Sequence, residues 1–140
     1  MAKAPKRDEK FEEMVSLLIA KADRALEKEA DGYDEILEES LKTLRVALDA
    51  GNTKDSIRIS YSIKGVAGSL GWPLVSTAAG YLRHVLAEEE KVTKFDETIA
   101  VHILTLDLLY KNKMKGEHPE GIKLIKHLYN LLVNYNITPT

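Results

Sequence analysis

The stretch TKDSIRISYSIKGVAGSLGWPLVSTAAGYLRHVL, residues 53–86, decides the fold. Its apolar residues recur at intervals of three and four, the spacing of an amphipathic helix, on both sides of one interruption. Successive helical residues turn by about 100°, so Ile59, Ile63, Val66 and Leu70 share one side and form a buried stripe. The interruption is Gly71-Trp72-Pro73. Glycine ends one helix, and proline suits the first turn of the next because its missing N–H is not needed there. The helix that follows carries Leu74, Ala78, Tyr81, Leu82, Val85 and Leu86. The two helices form a hairpin.

The same period continues outward from this hairpin. Upstream, Phe11, Met14, Val15, Leu18, Ala22, Ala25 and Leu26 mark a first helix that should stop near Ala30-Asp31-Gly32. Tyr33, Ile36, Leu37, Leu41, Leu44 and Leu48 mark a second, ending at Gly51, and Asn52 or Thr53 is placed to cap the third. Downstream of Glu88-Glu89-Glu90-Lys91, a fifth helix begins near Phe95 or Asp96 and runs to about Lys113, with Ile99, Ile103, Leu106 and Tyr110 on its stripe. Val101, Leu104 and Leu108 lie outside that stripe, to be covered by the first or last helix or to form a dimer surface. Gly116 to Pro119 breaks the chain, and the last helix carries Ile122, Ile125, Leu128, Tyr129 and Leu132. About six helices with short connections, and no alternating strand pattern, predict an all-α antiparallel bundle. The third and fourth helices belong to its central four; the spacing leaves the other two open.

At 140 residues the chain fits one domain, and 44% hydrophobic residues suffice for a core. The absence of cysteine excludes disulfides, thiolate catalysis and zinc sites built on Cys. A formal charge of −2 lacks the basic footprint of nucleic-acid binding. No apolar run approaches the ~20 residues of a membrane span. The charged segment Met1 to Lys10 has no apolar stretch like a signal peptide's. A solvated tail at 1–10 is therefore expected, followed by a single helical domain at 11–136, in the cytoplasm. No nucleophilic triad, phosphate-cradling glycine loop, metal cluster or carboxylate pair stands out, so neither an enzyme nor a bound cofactor is expected. The oligomeric state stays open, with a monomer slightly favoured.

Opposite the buried stripe of the third helix lies Tyr61, flanked by Lys54, Ile57, Arg58, Lys64, Gly65 and Gly68. This outward face combines an aromatic, three cations, an exposed aliphatic and two glycines. Each glycine inside a helix costs roughly 0.5–1 kcal/mol against alanine. Facing away from the core, the pair is read as room for a docking molecule rather than for a neighbouring helix.

Tyr61-Ser62-Ile63-Lys64-Gly65-Val66-Ala67-Gly68-Ser69-Leu70-Gly71 resembles the signature of histidine-phosphotransfer (HPt) domains, His-x-Leu-Lys-Gly followed by small residues and a closing hydrophobic-Gly. Leu82 matches the apolar position that family uses in its next helix. Close likeness covers about residues 57–86. The resemblance implies a four-helix bundle of HPt type with flanking helices. In that family an exposed histidine takes phosphate from a receiver domain's aspartyl phosphate, or from a kinase, and passes it on. Here Tyr61 stands in the histidine's place. A phenol, with an ordinary pKa near about 10, is mostly protonated at neutral pH and is no substitute for imidazole in a reversible relay. Arg83 is a second departure, standing where HPt domains commonly carry a glutamine that hydrogen-bonds the histidine. Tyr61 lies nine residues before Leu70 and Leu82 lies nine after Pro73, so Arg83 should reach the level of Tyr61. Two arrangements are open: a cation–π pair, with the two groups within about 6 Å, or a solvated Arg83 unconnected to Tyr61.

Four histidines remain. His84 is expected on the surface, one turn from Glu88; His102 partly buried in its helix; His118 at a turn or cap; and His127 exposed. None has the Lys-Gly-Gly setting. The resemblance therefore implies a non-catalytic pseudo-HPt signalling module that binds a receiver domain or histidine kinase of a two-component system. Its contacts would be Ile57, Arg58, Tyr61, Lys64, Gly65, Gly68 and Arg83. The alternatives are an active phosphotransfer protein that uses another histidine, or Tyr61 itself, and a helical scaffold unrelated to phosphorelay.

Overall fold

A computed structural model describes residues 13–18 and 31–139. The expected tail at 1–10, together with Phe11, Ala22, Ala25, Leu26 and the side chain of Tyr33, lies outside the described residues. Helices follow in the order α1 (13–18), α2 (Asp31–Asp49), α3 (Thr53–Ser69), α4 (Pro73–Ala87), α5 (Phe95–Lys111) and α6 (Pro119–Asn134). A 3-10 turn spans Glu89–Lys91, and no strand occurs among the described residues. The fold is all-α.

Four helices stop in the same way. A residue in the left-handed region follows the last turn, and the next N–H reaches back to a carbonyl five residues earlier. Asn52 donates to Ala47 at 3.0 Å, Trp72 to Ala67 at 2.9 Å, Met114 to Leu109 at 2.8 Å and Ile137 to Leu132 at 2.9 Å. This closure satisfies carbonyls that the helix end leaves open. The positive φ falls on Gly51 (68°) and Gly71 (85°), as expected, and also on Lys113 (50°) and Asn136 (59°). At the start of α3, Asn52 is the cap: its side-chain oxygen accepts from the Asp55 N–H at 3.2 Å.

α2, α3, α4 and α5 close a ring, each packing on the next and α5 returning to α2. The three-residue connections at 50–52 and 70–72 make consecutive helices antiparallel. α6 lies on α4 and α5. An ion pair from Arg45 on α2 to Asp107 on α5 fastens the last edge of the ring. The core holds Leu37, Leu44, Ile63, Ala67, Val75, Leu82, Leu106, Leu109 and Leu128, with Leu18 of α1 joining it.

Three details differ from the sequence reading. Trp72, to which the sequence reading gave no core role, is fully buried, and its ring lies 5.6 Å from that of Tyr110. The turn is therefore pinned into the core by the chain's largest side chain. Ile137 is also buried, packing with Val85, Val92 and Leu132, so the core reaches one residue beyond the expected boundary at 136. On α5 the most buried residues are Thr98, His102, Thr105, Leu106 and Leu109; Ile99, Ile103 and Tyr110 are only half-buried. The helix is turned roughly a quarter of a revolution from its apolar stripe. Val101 and Leu108 are half-buried, and Leu104 is exposed.

Candidate functional site

α3 packs on α2 and α4 through Ser56, Ile59, Ser60, Ile63 and Ala67, which turns the opposite side of the helix outward. Tyr61 stands at the middle of that side, 61% exposed. Gly65 and Gly68, one and two turns further on, are exposed as well, and Lys54 is exposed two turns before. The spacing 54, 61, 65, 68 makes a single stripe along the helix.

Of the two arrangements open to Arg83, the paired one is found. The Arg83 guanidinium, from α4, lies over the Tyr61 ring with its carbon 5.4 Å from the centroid. Such a contact at an exposed position is worth ~0.5–1 kcal/mol. Arg83 is half-buried and has no ion-pair partner among the described residues; its Nε is buried without a hydrogen bond. The guanidinium thus sits over an aromatic face without an ion-pair partner among the described residues.

The other members of the stripe divide. Gly65 meets expectation: a Cβ built there would touch nothing within 4 Å. Gly68 does not, because its Cβ would stand 3.3 Å from Ser76 Oγ on α4. That hydroxyl donates to the Lys64 carbonyl at 2.6 Å, a hydrogen bond between the two helices that needs the close approach Gly68 permits. Gly68 therefore serves internal packing as well as the surface. Lys64 also departs from the reading. Its stem crosses to α4, with Cδ 3.3 Å from where a Cβ on Gly80 would lie. Gly80 is buried beneath it, and Lys64 is half-buried rather than free beside Tyr61. Ile57, expected to be an exposed aliphatic, is half-buried and packs against the core. Arg58 is half-buried. The surface that remains open is centred on Tyr61, Arg83 and Gly65 and edged by Lys54.

One signal in the sequence marks this surface without any structure. No aspartate or glutamate occurs from Ser56 to Ala87, whereas the rest of the chain carries all 22. Arg58, Lys64 and Arg83 are the only full charges from Ser56 to Ala87, with Lys54 and Asp55 just before them in the first turn of α3. The molecule is weakly anionic overall and cationic here.

The histidines lie elsewhere. His102 is fully buried rather than partly, and its Nδ1 donates to the Thr98 carbonyl at 2.7 Å, which leaves Nε2 buried without a partner. Burial lowers its pKa from 6.5 to about 4; the Thr98 hydrogen bond opposes the shift and His127 adds to it slightly. His84 is half-buried, His127 is exposed, and His118 occupies the N-cap position of α6 without a side-chain capping bond. Among the described residues no three His, Asp or Glu side chains are grouped to hold a metal ion, and no helix is long and apolar enough to cross a membrane. The chain matches no protein-family model, no curated protein and no solved structure.

Proposed function

We propose that this protein is a pseudo-HPt module: it docks a receiver domain or histidine kinase through the Tyr61 face and modulates signalling without carrying phosphate. The observation that carries the reading is the exposed Tyr61, stacked under Arg83, at the centre of a stripe that Gly65 leaves open. An aromatic anchor beside an arginine is the composition of an interface hot spot. The helical ring of α2 to α5, with α3 and α4 as its hairpin, agrees with the bundle that the motif implies. Tyrosine at the acceptor position removes the imidazole that the transfer would need. The buried His102 has no route to a phosphodonor.

The test is binding of the purified protein to a panel of receiver domains and kinases from its own cell. Gly65→Arg is the decisive variant. It sits in open space and adds positive charge, so lost binding would report steric blocking and not lost attraction. Gly68→Arg would be less clean, because it also disturbs the Ser76–Lys64 bond. Binding to one partner, abolished by Gly65→Arg and weakened by Tyr61→Ala with the fold intact, supports the reading. Binding indifferent to both, or no binding, removes it. Acid-labile phosphate on any histidine would instead favour an active transfer protein.

A further inference from the structure

We infer that the outer stripe of α6 is a self-association surface, on which two copies of this chain pack their α6 helices antiparallel about a two-fold axis. Seven large apolar or aromatic side chains are exposed among the described residues, and three of them lie on α6. These are Ile122, Tyr129 and Val133, which keep 48%, 45% and 47% of their surface open. With the exposed Lys126 they recur at intervals of four, three and four, so all four project within about 60° of one direction. The side of α6 that packs on α4 and α5 is a different one, carrying the buried Gly121, Leu128 and Leu132. Lys123, His127, Asn130 and Asn134 form the polar remainder. A surface helix needs one apolar stripe, the one it buries against its own domain. α6 carries a second. The Tyr129 ring is braced from its own molecule by Tyr81 on α4, with centroids 6.4 Å apart.

The order of residues along the stripe names the occupant. Any stripe of this spacing is symmetric in position; this one is symmetric in chemistry as well. Two α6 helices are laid antiparallel with the two-fold axis level with the step from His127 to Leu128. Ile122 of one copy then meets Val133 of the other, and Lys126 meets Tyr129. Apolar faces apolar and a cation faces an aromatic ring, each contact formed twice, as an isologous interface requires. The lysine stem adds apolar cover along the seam. No carboxylate of the helix competes for that cation, because Glu120 is the only acid on α6 and lies 3.7 Å from Lys123. A partner of different sequence gives no reason for that order. The stripe runs roughly 17 Å along the helix and buries on the order of 1,000 Å², the low end for a specific complex. Association is therefore weak, with a Kd on the order of 10–100 µM. The inference concerns α6 alone and stands or falls separately from the docking reading of the Tyr61 face.

Sedimentation equilibrium of the full chain, at concentrations on both sides of that Kd, tests it. The weight-average mass is expected to climb from 15.7 kDa toward twice that value. Ile122→Glu and Val133→Lys should each weaken self-association by about tenfold or more, since each sets a charge against an apolar side chain twice in the dimer. Mixed together, the two variants should recover it. Their heterodimer places opposite charges together at one contact and leaves Val133 against Ile122 at the other. Both positions are exposed, and emission from Trp72, the single tryptophan, checks that each variant is folded. A mass of 15.7 kDa at every concentration overturns the inference, whatever else binds the stripe. A dimer that persists in the single variants overturns it too, because it lies on another surface. Variants that fail to recover on mixing exclude the antiparallel register and with it the inference.

Discussion

The Arg83 guanidinium of α4 lies 5.4 Å from the centroid of the Tyr61 ring on α3, tying the most exposed aromatic of the hairpin to the helix beside it. The contact should register as an energetic coupling. In a double-mutant cycle of Tyr61→Ala and Arg83→Ala, the two effects on unfolding free energy should differ from additivity by about 0.5–1 kcal/mol. Urea unfolding followed through Trp72 fluorescence measures it. Strict additivity would mean the two side chains are neighbours without attraction.

The two stripe glycines should respond differently to alanine. At Gly65 a methyl group meets nothing, so Gly65→Ala gains the helix propensity of alanine and stabilises by about 0.5–1 kcal/mol. Partner binding should fall at the same time. At Gly68 the methyl group stands 3.3 Å from Ser76 Oγ, and the gain is offset by displacement of the Ser76–Lys64 hydrogen bond. Thermal melts of the two variants should therefore separate, with Gly65→Ala the higher. Equal gains would show that Ser76 yields freely.

Much of this arrangement is legible in the chain. Gly51, Asn52, Gly71 and Pro73 have backbone roles that few residues fill, so they mark helix ends reliably. Tyr61 and Arg83 could be paired by counting outward from the hinge, because helical rise is constant. Side-chain reach is what counting misses. Lys64 leaves its own helix face because its long stem finds Gly80 on the next helix. The misplaced face of α5 has another cause. Thr98 and Thr105 satisfy their hydroxyls on carbonyls four residues back, at 2.7 Å and 2.9 Å, and then bury as if apolar. Hydropathy ranks Ile99 and Ile103 above them, although the core selects by shape and satisfied polarity.

His102 makes stability depend on pH in a defined window. In the folded protein it stays neutral down to about pH 4, whereas the unfolded chain takes up the proton near 6.5. The unfolded state therefore binds more protons between these values, and stability falls as pH drops through them, levelling below the lower one. The loss is on the order of 3 kcal/mol. His102→Leu lacks this term, so the difference between the wild-type and variant profiles should shrink or grow only across that window. Parallel profiles from neutral pH to about pH 4 would show that the imidazole is not buried neutral.

α3 and α5 close with the same backbone geometry, but the left-handed position is glycine in one (Gly71, φ 85°) and lysine in the other (Lys113, φ 50°). An L-residue pays roughly 1–2 kcal/mol in that region, while glycine adds about 0.5–1 kcal/mol of lost chain entropy. Gly71→Ala should thus destabilise by about 1 kcal/mol, and it loosens the turn that seats Trp72 in the core. Lys113→Gly should stabilise by about 0.5–1 kcal/mol, since the same N–H bond from Met114 to Leu109 forms without strain. Denaturant midpoints of the two variants should move in opposite directions. A Lys113→Gly midpoint below wild type would mean that the lysine side chain contributes more at that corner than its backbone costs.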